Sequence, residues 1–256
     1  TVMLGCGATV FRGRPVTADR ALRTAGLKPY GFKPKEALSL INGVQFTAAM
    51  LAETLLETEK VLKLSDIAGA MSLEALKGSV KPFDPRIHAI RPHPGQSVVA
   101  RNIRTLLSRS EILESHRNCR KVQDAYSLRC IPQVHGAVRD AVGYATSVLL
   151  HEINSVTDNP LVFENGDIVS GGNFHGQPLA LAADFLATAL VSLANISERR
   201  IERMTNPDLS ELPAFLVTSG GLNSGFMMIQ VLAAAITAEC RASTSPASLH
   251  SIPTGG

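Results

Sequence analysis

Three polar side chains with complementary chemistry follow one another at three-residue steps near the middle of the chain. Between Lys121 and Cys130 the sequence reads KVQDAYSLRC, which places an amide at Gln123, a phenol at Tyr126 and a guanidinium at Arg129. If this stretch is helical or turn-like, the three side chains point the same way. Arg129 could then bind a carboxylate, Gln123 could orient a reacting group and Tyr126 could exchange a proton. The same spacing occurs on any solvated helix face, so both interpretations stay open.

Two other segments contain residues that could face a ligand. Asn42 interrupts an apolar helical pattern in LINGVQ, and a buried amide there must either cap a neighbouring backbone or reach a ligand. Residues 170–176 read SGGNFHG, in which three glycines close to Phe174 let a ligand or another chain approach the backbone. The Asp158-Asn159-Pro160 step is interpreted as a plain helix stop, because Asp and Asn readily bond to the local backbone.

Several familiar cofactor motifs are incomplete or missing. Residues 5–7 read GCG without a further glycine three residues on, and no GxxxxGK phosphate loop occurs. His88 and His93 lie five residues apart in a proline-rich stretch, without the helical spacing and the glutamate of a zinc protease. The four cysteines form no CxxC pair, which argues against a zinc site or a disulfide framework and fits a reducing cytosol. The sequence therefore predicts neither a metal nor a nucleotide.

The composition is typical of an all-α protein. Hydrophobic residues make up 45% of the 256 residues, with no Trp and three Tyr, so the core must be built from Ala, Leu, Val and Ile. A scattered net charge of +3 predicts no binding to nucleic acid or to an anionic membrane. The most apolar stretch, 179–196, carries Asp184 and Asn195, so we expect no membrane span. The expected partner is a small molecule or a protein.

Helical periodicity dominates most of the chain. Apolar residues recurring at three and four predict helices over 35–60, 65–77, 96–107, 134–154, 178–203 and 224–242. Ser65 or Asp66 is the expected cap of the second helix and Gly78 its stop. Residues 1–33 could hold short strands or a brief helix over 18–25.

Two stretches interrupt the helices. Four prolines within 80–95 predict that this segment forms no regular element. Residues 161–163 and 168–169 flank an Asn-Gly turn at Asn165, which predicts a small two-stranded ribbon. The expected architecture is a single helical domain over 1–256, an elongated bundle of long helices with irregular loops at its ends. Thr1 starts within an apolar run without a capping signal, so we expect an internal piece of a longer chain.

Eight blocks of the sequence together resemble a known family. They are LINGVQ around Asn42, HAIRPHPGQ at 88–96, KVQDAYSLRCIPQVHG at 121–136, TDNPLVF at 157–163, SGGNFHG at 170–176, ISERRIER at 196–203, LPAFL at 212–216 and SGFM at 224–227. Their order and spacing are similar to those of histidine ammonia-lyases, members of the aromatic amino acid lyase family that depends on methylidene-imidazolone (MIO). The resemblance covers essentially the whole chain.

The resemblance implies an enzyme that removes ammonia from L-histidine to give trans-urocanate. The family's electrophile is MIO, made autocatalytically from an Ala-Ser-Gly tripeptide. The implied fold is the all-α, aspartase/fumarase-like core of long helices. The implied assembly is a cytoplasmic homotetramer whose active sites are each built from three subunits.

The resemblance also assigns roles to five residues. Asn42 would contact the electrophile and the substrate amine, and Arg129 would bind the substrate carboxylate. Gln123 and Tyr126 would line the same centre, with Tyr126 near the electrophile. Phe174 would form a wall of the site. Elimination needs an electron sink as well as a fixed carboxylate, and none of these side chains can supply that sink.

The sequence departs from the family pattern in two places. No Ala-Ser-Gly occurs in the 256 residues, and the resemblance places it shortly before Thr1, together with a Tyr and a His. At the other end, the Ser-Ile-Pro-Thr block at 251–254 precedes a family segment whose Glu contacts the imidazole, and His250 stands where Asp is usual. We therefore expect the isolated chain to be inactive.

Three hypotheses follow. The first is that the chain is the central portion of a histidine ammonia-lyase, which is active only as the full-length tetramer. The second is a related lyase or aminomutase that acts on tyrosine or phenylalanine, since the ring-selecting flanks lie outside the chain. The third is a non-catalytic helical scaffold.

Overall fold

A computed structural model describes residues 1–119, 121–250 and 252. Of the Ser-Ile-Pro-Thr block at 251–254, all but Ile252 lie outside the described residues. The chain forms two compact units. The smaller comprises Thr1–Gln45 and Val156–His175, and the larger comprises Phe46–Ser155 and Gly176–Gly256. The single domain over 1–256 stays a prediction.

The smaller unit contains short elements only. Its strands form two antiparallel hairpins: β1 (Ala8–Phe11) with β2 (Arg14–Thr17), and β3 (Leu161–Val162) with β4 (Ile168–Val169). Its helices are a 3-10 turn at Val2–Leu4, α1 (Ala18–Thr24) and α2 (Glu36–Ser39). The predicted Asn-Gly ribbon is confirmed, with Gly166 in the left-handed region at φ 88° that such a turn requires. Both alternatives left open for 1–33, short strands and a brief helix, occur there.

The larger unit is built from long helices. These are α3 (Gln45–Ala75), α5 (Pro94–Leu106), α8 (Ile131–Glu152), α9 (Gln177–Thr205) and α11 (Met227–Ala242). Shorter helices are α4 (Pro85–Ala89), α6 (Glu111–Ser115), α7 (Tyr126–Arg129) and α10 (Pro207–Ser210), with 3-10 turns at Lys81–Phe83, Ala214–Leu216 and Ala247–His250. Helix α8 packs against α5 and α9, and α9 packs against α11. The predicted all-α class with a small β-ribbon is confirmed.

The predicted helix over 35–60 is wrong at its start. The structure has α2, then a break at 40–44, and then α3. A Cβ on Gly43 would overlap the carbonyl oxygen of Thr157, so the backbone must leave the helix where these segments meet. The break therefore depends on a residue more than a hundred positions away.

The predicted helix boundary at 65–66 is also wrong, because α3 runs unbroken to Ala75. Ser65 does not cap a helix: its hydroxyl donates to the Val61 carbonyl oxygen one turn back, at 2.6 Å. Asp66 is 3% exposed and accepts hydrogen bonds from side chains of other helices. Both side chains are therefore buried inside the bundle, and neither caps a helix.

The proline-rich segment is more regular than predicted. Pro85 and Pro94 occupy the first positions of α4 and α5, where the missing N–H costs nothing. The Asp84 carboxylate caps α4 by accepting from the Arg86 backbone N–H at 2.9 Å. The prolines start helices here instead of excluding them.

Helices α5 and α8 approach each other closely at two glycines. A Cβ on Gly95 would overlap the Gly136 carbonyl oxygen, and a Cβ on Gly136 would overlap the backbone of Gln96. Around this crossing the larger unit buries an apolar core that includes Leu73, Phe83, Val99, Ile103, Leu128 and Ile131. The position of α8 relative to α5 is therefore set by backbone contact.

Gly136→Ala is expected to destabilise the protein by about 1–3 kcal/mol, because backbone must move to admit the methyl group. Gly143→Ala is the matched control, since a Cβ at this position of the same helix meets no atom within 4 Å. The control should be neutral or stabilising by up to about 1 kcal/mol, because alanine favours a helix. Melting temperatures of the two variants test the difference, and equal melting temperatures would contradict the close crossing.

By length and composition, α9 is the one helix among the described residues that could cross a membrane. It packs against α8 and α11 and buries Leu179, Ala182 and Leu186. The helix also carries Glu198, Arg199 and Arg200 near its end.

Candidate active site

Gln123, Tyr126 and Arg129 line one cavity of about 860 Å³ in the larger unit. Helix α7 is a single turn that starts at Tyr126 and ends at Arg129, and α8 begins two residues later with a proline in its first turn. Gln123 lies in the loop before α7. The structure thus brings the three residues together, although only two of them share a helix.

The three side chains are in direct contact. Arg129 Nη1 donates to Gln123 Oε1 at 2.6 Å, and the Arg129 guanidinium carbon lies 4.5 Å from the centre of the Tyr126 ring. A guanidinium over an aromatic face is held by cation–π attraction. The Tyr126 side chain is 74% exposed. Gln123 and Tyr126 therefore fix the Arg129 fork while leaving the phenol accessible.

Arg129 keeps hydrogen-bonding capacity that other described residues do not use. Its Nε is buried without a hydrogen-bond partner, and so is the side-chain oxygen of Gln133, one turn further along. An unmatched buried donor is costly, and a carboxylate is the ligand group that best fits a guanidinium. The site is chemically suited to bind the carboxylate of a small molecule.

The charges around the cavity favour the same ligand. Among the described residues, six basic side chains line it, namely Lys77, Lys81, Arg109, Arg117, Lys121 and Arg129. Three acidic side chains oppose them, namely Glu111, Glu114 and Asp124. One of these, Asp124, already accepts from the Ser79 backbone N–H at 2.6 Å. The excess of cations attracts an anionic group.

Asn42 belongs to the smaller unit, where its amide is fixed from one side. Its Nδ2 donates to Asp158 Oδ1 at 3.1 Å and to the Asn159 carbonyl oxygen at 3.0 Å. Both N–H bonds are therefore used within the unit. The amide carbonyl is the group left to accept a hydrogen bond from a ligand.

Asp158 organises these contacts, and the interpretation of Asp158-Asn159-Pro160 as a plain helix stop is wrong. Asp158 is 5% exposed, and its Oδ2 accepts from Lys35 Nζ and from Ser39 Oγ, each at 2.6 Å. The Lys35 ammonium, followed by the Ser39 hydroxyl, holds the pKa of Asp158 well below its ordinary value. Local sequence gave no sign of these partners, since they lie over a hundred residues away.

The glycine-rich segment is tied to the same loop. Asn159 Oδ1 accepts from Ser170 Oγ at 3.1 Å and from the Gly171 backbone N–H at 2.7 Å. Asn173 Nδ2 donates to the Val156 carbonyl oxygen at 3.2 Å, and the neighbouring Phe174 is 44% exposed. The loop at 158–159 therefore positions Asn42 on one side and the Phe174 segment on the other.

A second polar cluster lies in the interior of the larger unit, where the sequence predicted none. His135 is fully buried between α3 and α9; its Nδ1 lies 2.9 Å from Asp66 Oδ1, and its Nε2 lies 3.4 Å from Arg200 Nη1. Asn102 and Arg139 donate to the other Asp66 oxygen at 2.8 and 2.6 Å. Side chains of three helices, α3, α5 and α8, thus share one buried carboxylate, and α9 joins the cluster through the Arg200–His135 contact.

Burial determines the charge state of His135. Burial, together with the Arg200 charge, lowers the pKa of His135, while the Asp66 hydrogen bond only partly opposes this. Burial also disfavours the ionised Asp66, but hydrogen bonds from His135 and Asn102 outweigh it and lower the pKa of Asp66. The folded state therefore holds a neutral imidazole beside an ionised carboxylate.

Stability is expected to fall on mild acidification because the unfolded chain binds a proton at His135 below about pH 6.5, whereas the folded chain does not. The free energy of unfolding should fall by about 1.4 kcal/mol for each pH unit, until the pH passes the pKa of His135 in the folded protein. Asp66 adds a further loss only below about pH 4, where the unfolded carboxylate is protonated first. Melting temperatures between pH 7 and pH 5 measure the first effect.

His135→Gln should flatten this dependence, whereas His151→Gln, which changes an exposed histidine, should leave it unchanged. His88, whose pKa is lowered by burial, contributes to the slope that remains. An identical slope in the wild type and in both variants would contradict a neutral buried His135.

A metal-based site finds no support in the described ranges, which contain no group of three His, Cys, Asp or Glu side chains placed to hold an ion.

A model of the aromatic amino acid lyase family matches residues 1–256. The chain belongs to this family. It is 53% identical over 253 residues to the histidine ammonia-lyase of Myxococcus xanthus, covering 98% of this chain and 50% of that protein. The chain thus spans about half the length of the curated relatives it matches. Membership of the lyase family confirms the resemblance carried by the eight sequence blocks.

Two solved structures of the family share the fold. The histidine ammonia-lyase of Trypanosoma cruzi matches with a TM-score of 0.84 and 46% identity, over 100% of this chain and 48% of its own. A tyrosine aminomutase of Streptomyces globisporus matches with a TM-score of 0.87 and 39% identity, over 100% of this chain and 52% of its own. The family fold therefore includes proteins named for different aromatic substrates.

Proposed function

We propose that the full-length protein containing this chain is a histidine ammonia-lyase that converts L-histidine to trans-urocanate and ammonia. The observation that carries the proposal is the Arg129 cluster, a carboxylate receptor in a chain that shares 53% of its residues with a histidine ammonia-lyase. An amino acid substrate presents the carboxylate that this cluster suits.

Each candidate residue has a proposed role that follows from its contacts. Arg129 binds the substrate carboxylate, and Gln123 orients the guanidinium through the 2.6 Å hydrogen bond. Tyr126 exchanges a proton through its exposed hydroxyl. Asn42, whose amide N–H bonds are already used, accepts a hydrogen bond from the substrate amine. Phe174 forms an apolar wall.

The proposed cofactor is MIO, formed from an Ala-Ser-Gly tripeptide that would precede Thr1. Two groups suit contact with a neutral electrophile: the side-chain carbonyl of Asn42, and the hydroxyl of Tyr126, which bonds to no described residue. Once formed, MIO would supply the electron sink that elimination requires and that no side chain of this chain can provide. In the larger unit, binding and alignment of the substrate carboxylate fall to Arg129 and Gln123.

The proposed assembly is a cytoplasmic homotetramer with shared active sites. Apolar side chains on α3 and α11 support it, since Phe46, Met50, Met71 and Leu232 are each more than half exposed. Exposed apolar faces of this extent are typical of surfaces that other subunits cover. The four free cysteines suit a reducing compartment.

A tyrosine or phenylalanine lyase or aminomutase is the second candidate, favoured by the 39% identity to the tyrosine aminomutase. A substrate panel of L-histidine, L-tyrosine and L-phenylalanine, given to the full-length protein side by side, separates the two. We expect L-histidine to have the highest kcat/KM, and a preference for tyrosine would overturn the proposal. The 256-residue chain alone, tested as a scaffold, should show no turnover and no MIO absorbance.

A further inference from the structure

A smaller cavity of about 310 Å³ lies beside the N-terminus of α5 in the larger unit. Its polar lining consists of Arg91, His93, Gln96, Gln133 and Asp140, and Phe185 of α9 forms an aromatic wall. Only Gln133 also lines the larger cavity that contains Arg129. No role proposed above uses Arg91, Asp140 or Phe185.

The two charges in this cavity do not neutralise each other. Among the described residues, Arg91 forms no ion pair with Asp140 or with any other carboxylate. Asp140 Oδ1 accepts from the Gly95 backbone N–H at 2.8 Å, which anchors the carboxylate and leaves Oδ2 available. One guanidinium and one carboxylate therefore line the same small space, each with free capacity.

The other side chains that line this cavity are held in place or have an unused hydrogen-bond acceptor. Gln96 is almost fully buried and its Nε2 lies 3.0 Å from His88 Nδ1, so its side chain is fixed. The side-chain oxygen of Gln133 is buried without a partner and would accept from a donor. Phe185 packs edge-on against Tyr144 with ring centres 5.8 Å apart, which holds the aromatic wall in place. These groups suit a ligand with a donor and a short apolar portion.

We propose that this cavity binds a small zwitterion, that is, a free α-amino acid or a molecule with the same charge pattern. Arg91 takes the carboxylate of the ligand, and Asp140 Oδ2 takes its ammonium group. The volume admits a ligand of amino acid size. The site lies outside the Arg129 cavity, so the proposal does not depend on which reaction the full-length protein catalyses.

Glycine binding to the full-length protein, measured by calorimetry in an Arg129→Ala background, tests the proposal. The Arg129→Ala substitution removes the guanidinium of the larger cavity, so glycine binding in that cavity no longer contributes to the measured heat. Glycine should bind at least about tenfold more tightly than propionate or ethylammonium, because each of these offers only one of the two charges.

Adding Arg91→Ala or Asp140→Asn should weaken glycine binding at least about tenfold, since each removes one charge-assisted contact. Asparagine keeps an acceptor for the Gly95 N–H, so the α5 crossing should survive, as an unchanged melting temperature would show. Arg101→Ala, on the exposed side of α5, is the matched control and should leave binding unchanged. Glycine binding that is absent in the Arg129→Ala background, or that persists in both charge variants, would overturn the site.

Discussion

Arg129→Ala in the full-length protein is expected to reduce kcat/KM for L-histidine by roughly 100- to 10,000-fold, the loss of two charge-assisted hydrogen bonds at about 1.5–3 kcal/mol each. Much of the change should appear as a higher KM, because Arg129 is proposed to bind the carboxylate in the ground state as well. Arg129 contributes no atom to the electrophile, so MIO absorbance should stay intact. Steady-state kinetics and an ultraviolet spectrum of the same preparation measure both effects.

Two further variants define what Arg129 supplies. Arg129→Lys keeps the charge but loses the planar fork that stacks on Tyr126 and bonds to Gln123, so its kcat/KM should lie between wild type and alanine. Arg109→Ala removes another guanidinium that lines the same cavity and should have little effect. Loss of MIO absorbance in Arg129→Ala, or equal kinetic losses in the Arg109 variant, would contradict the assignment.

Asp158→Asn is expected to have the second largest effect, because one carboxylate holds Lys35, Ser39 and Asn42. The substitution leaves the Lys35 ammonium without its counter-charge, and a flipped amide can present an N–H to the Asn42 N–H groups. Misplacing Asn42 by about 1 Å is expected to lower kcat/KM roughly 100-fold. The melting temperature should fall as well.

Asp167→Asn is the matched control for this experiment, since Asp167 is an exposed carboxylate at the turn of the β3–β4 ribbon in the same unit. It should change neither kcat/KM nor the melting temperature noticeably. Asn42→Ala should reproduce the kinetic loss of Asp158→Asn without the full thermal loss. Normal activity in Asp158→Asn would show that the carboxylate does not position Asn42.

The parts of the fold that the sequence predicted well depend on local signals. The long apolar pattern over 178–203 became α9, and the Asn-Gly pair became the turn of the β3–β4 ribbon. Helical periodicity and turn chemistry act over a few residues, so they can be recognised without knowledge of the fold.

The errors arose where distant contacts decide the local structure. The break at 40–44 follows from the approach of Gly43 to Thr157, which no local pattern encodes. Ser65 and Asp66 looked like caps because both residue types favour helix starts, yet the fold uses them inside α3. The sequence likewise did not predict the contact between Gly95 and Gly136, because each glycine is required by backbone about 40 residues away in the chain.

The candidate site shows the same division. The three-residue spacing predicted that Gln123, Tyr126 and Arg129 point the same way if the stretch is helical, and the three side chains line one cavity although Gln123 lies before α7. Asp158 and Lys35 were missed because their importance lies in an ion pair between residues 123 positions apart. The roles of Asn42 and Phe174 remain predictions that rest on the resemblance and on the contacts described above.

The most direct test of the central claim is a parallel measurement of urocanate and free ammonia released by the full-length protein from L-histidine. The proposed lyase should release the two products in equal amounts, at a rate that Arg129→Ala lowers strongly. An aminomutase would keep the amine on its product and release little ammonia. No urocanate from L-histidine, with turnover of another aromatic amino acid in the same preparation, would contradict the proposed function.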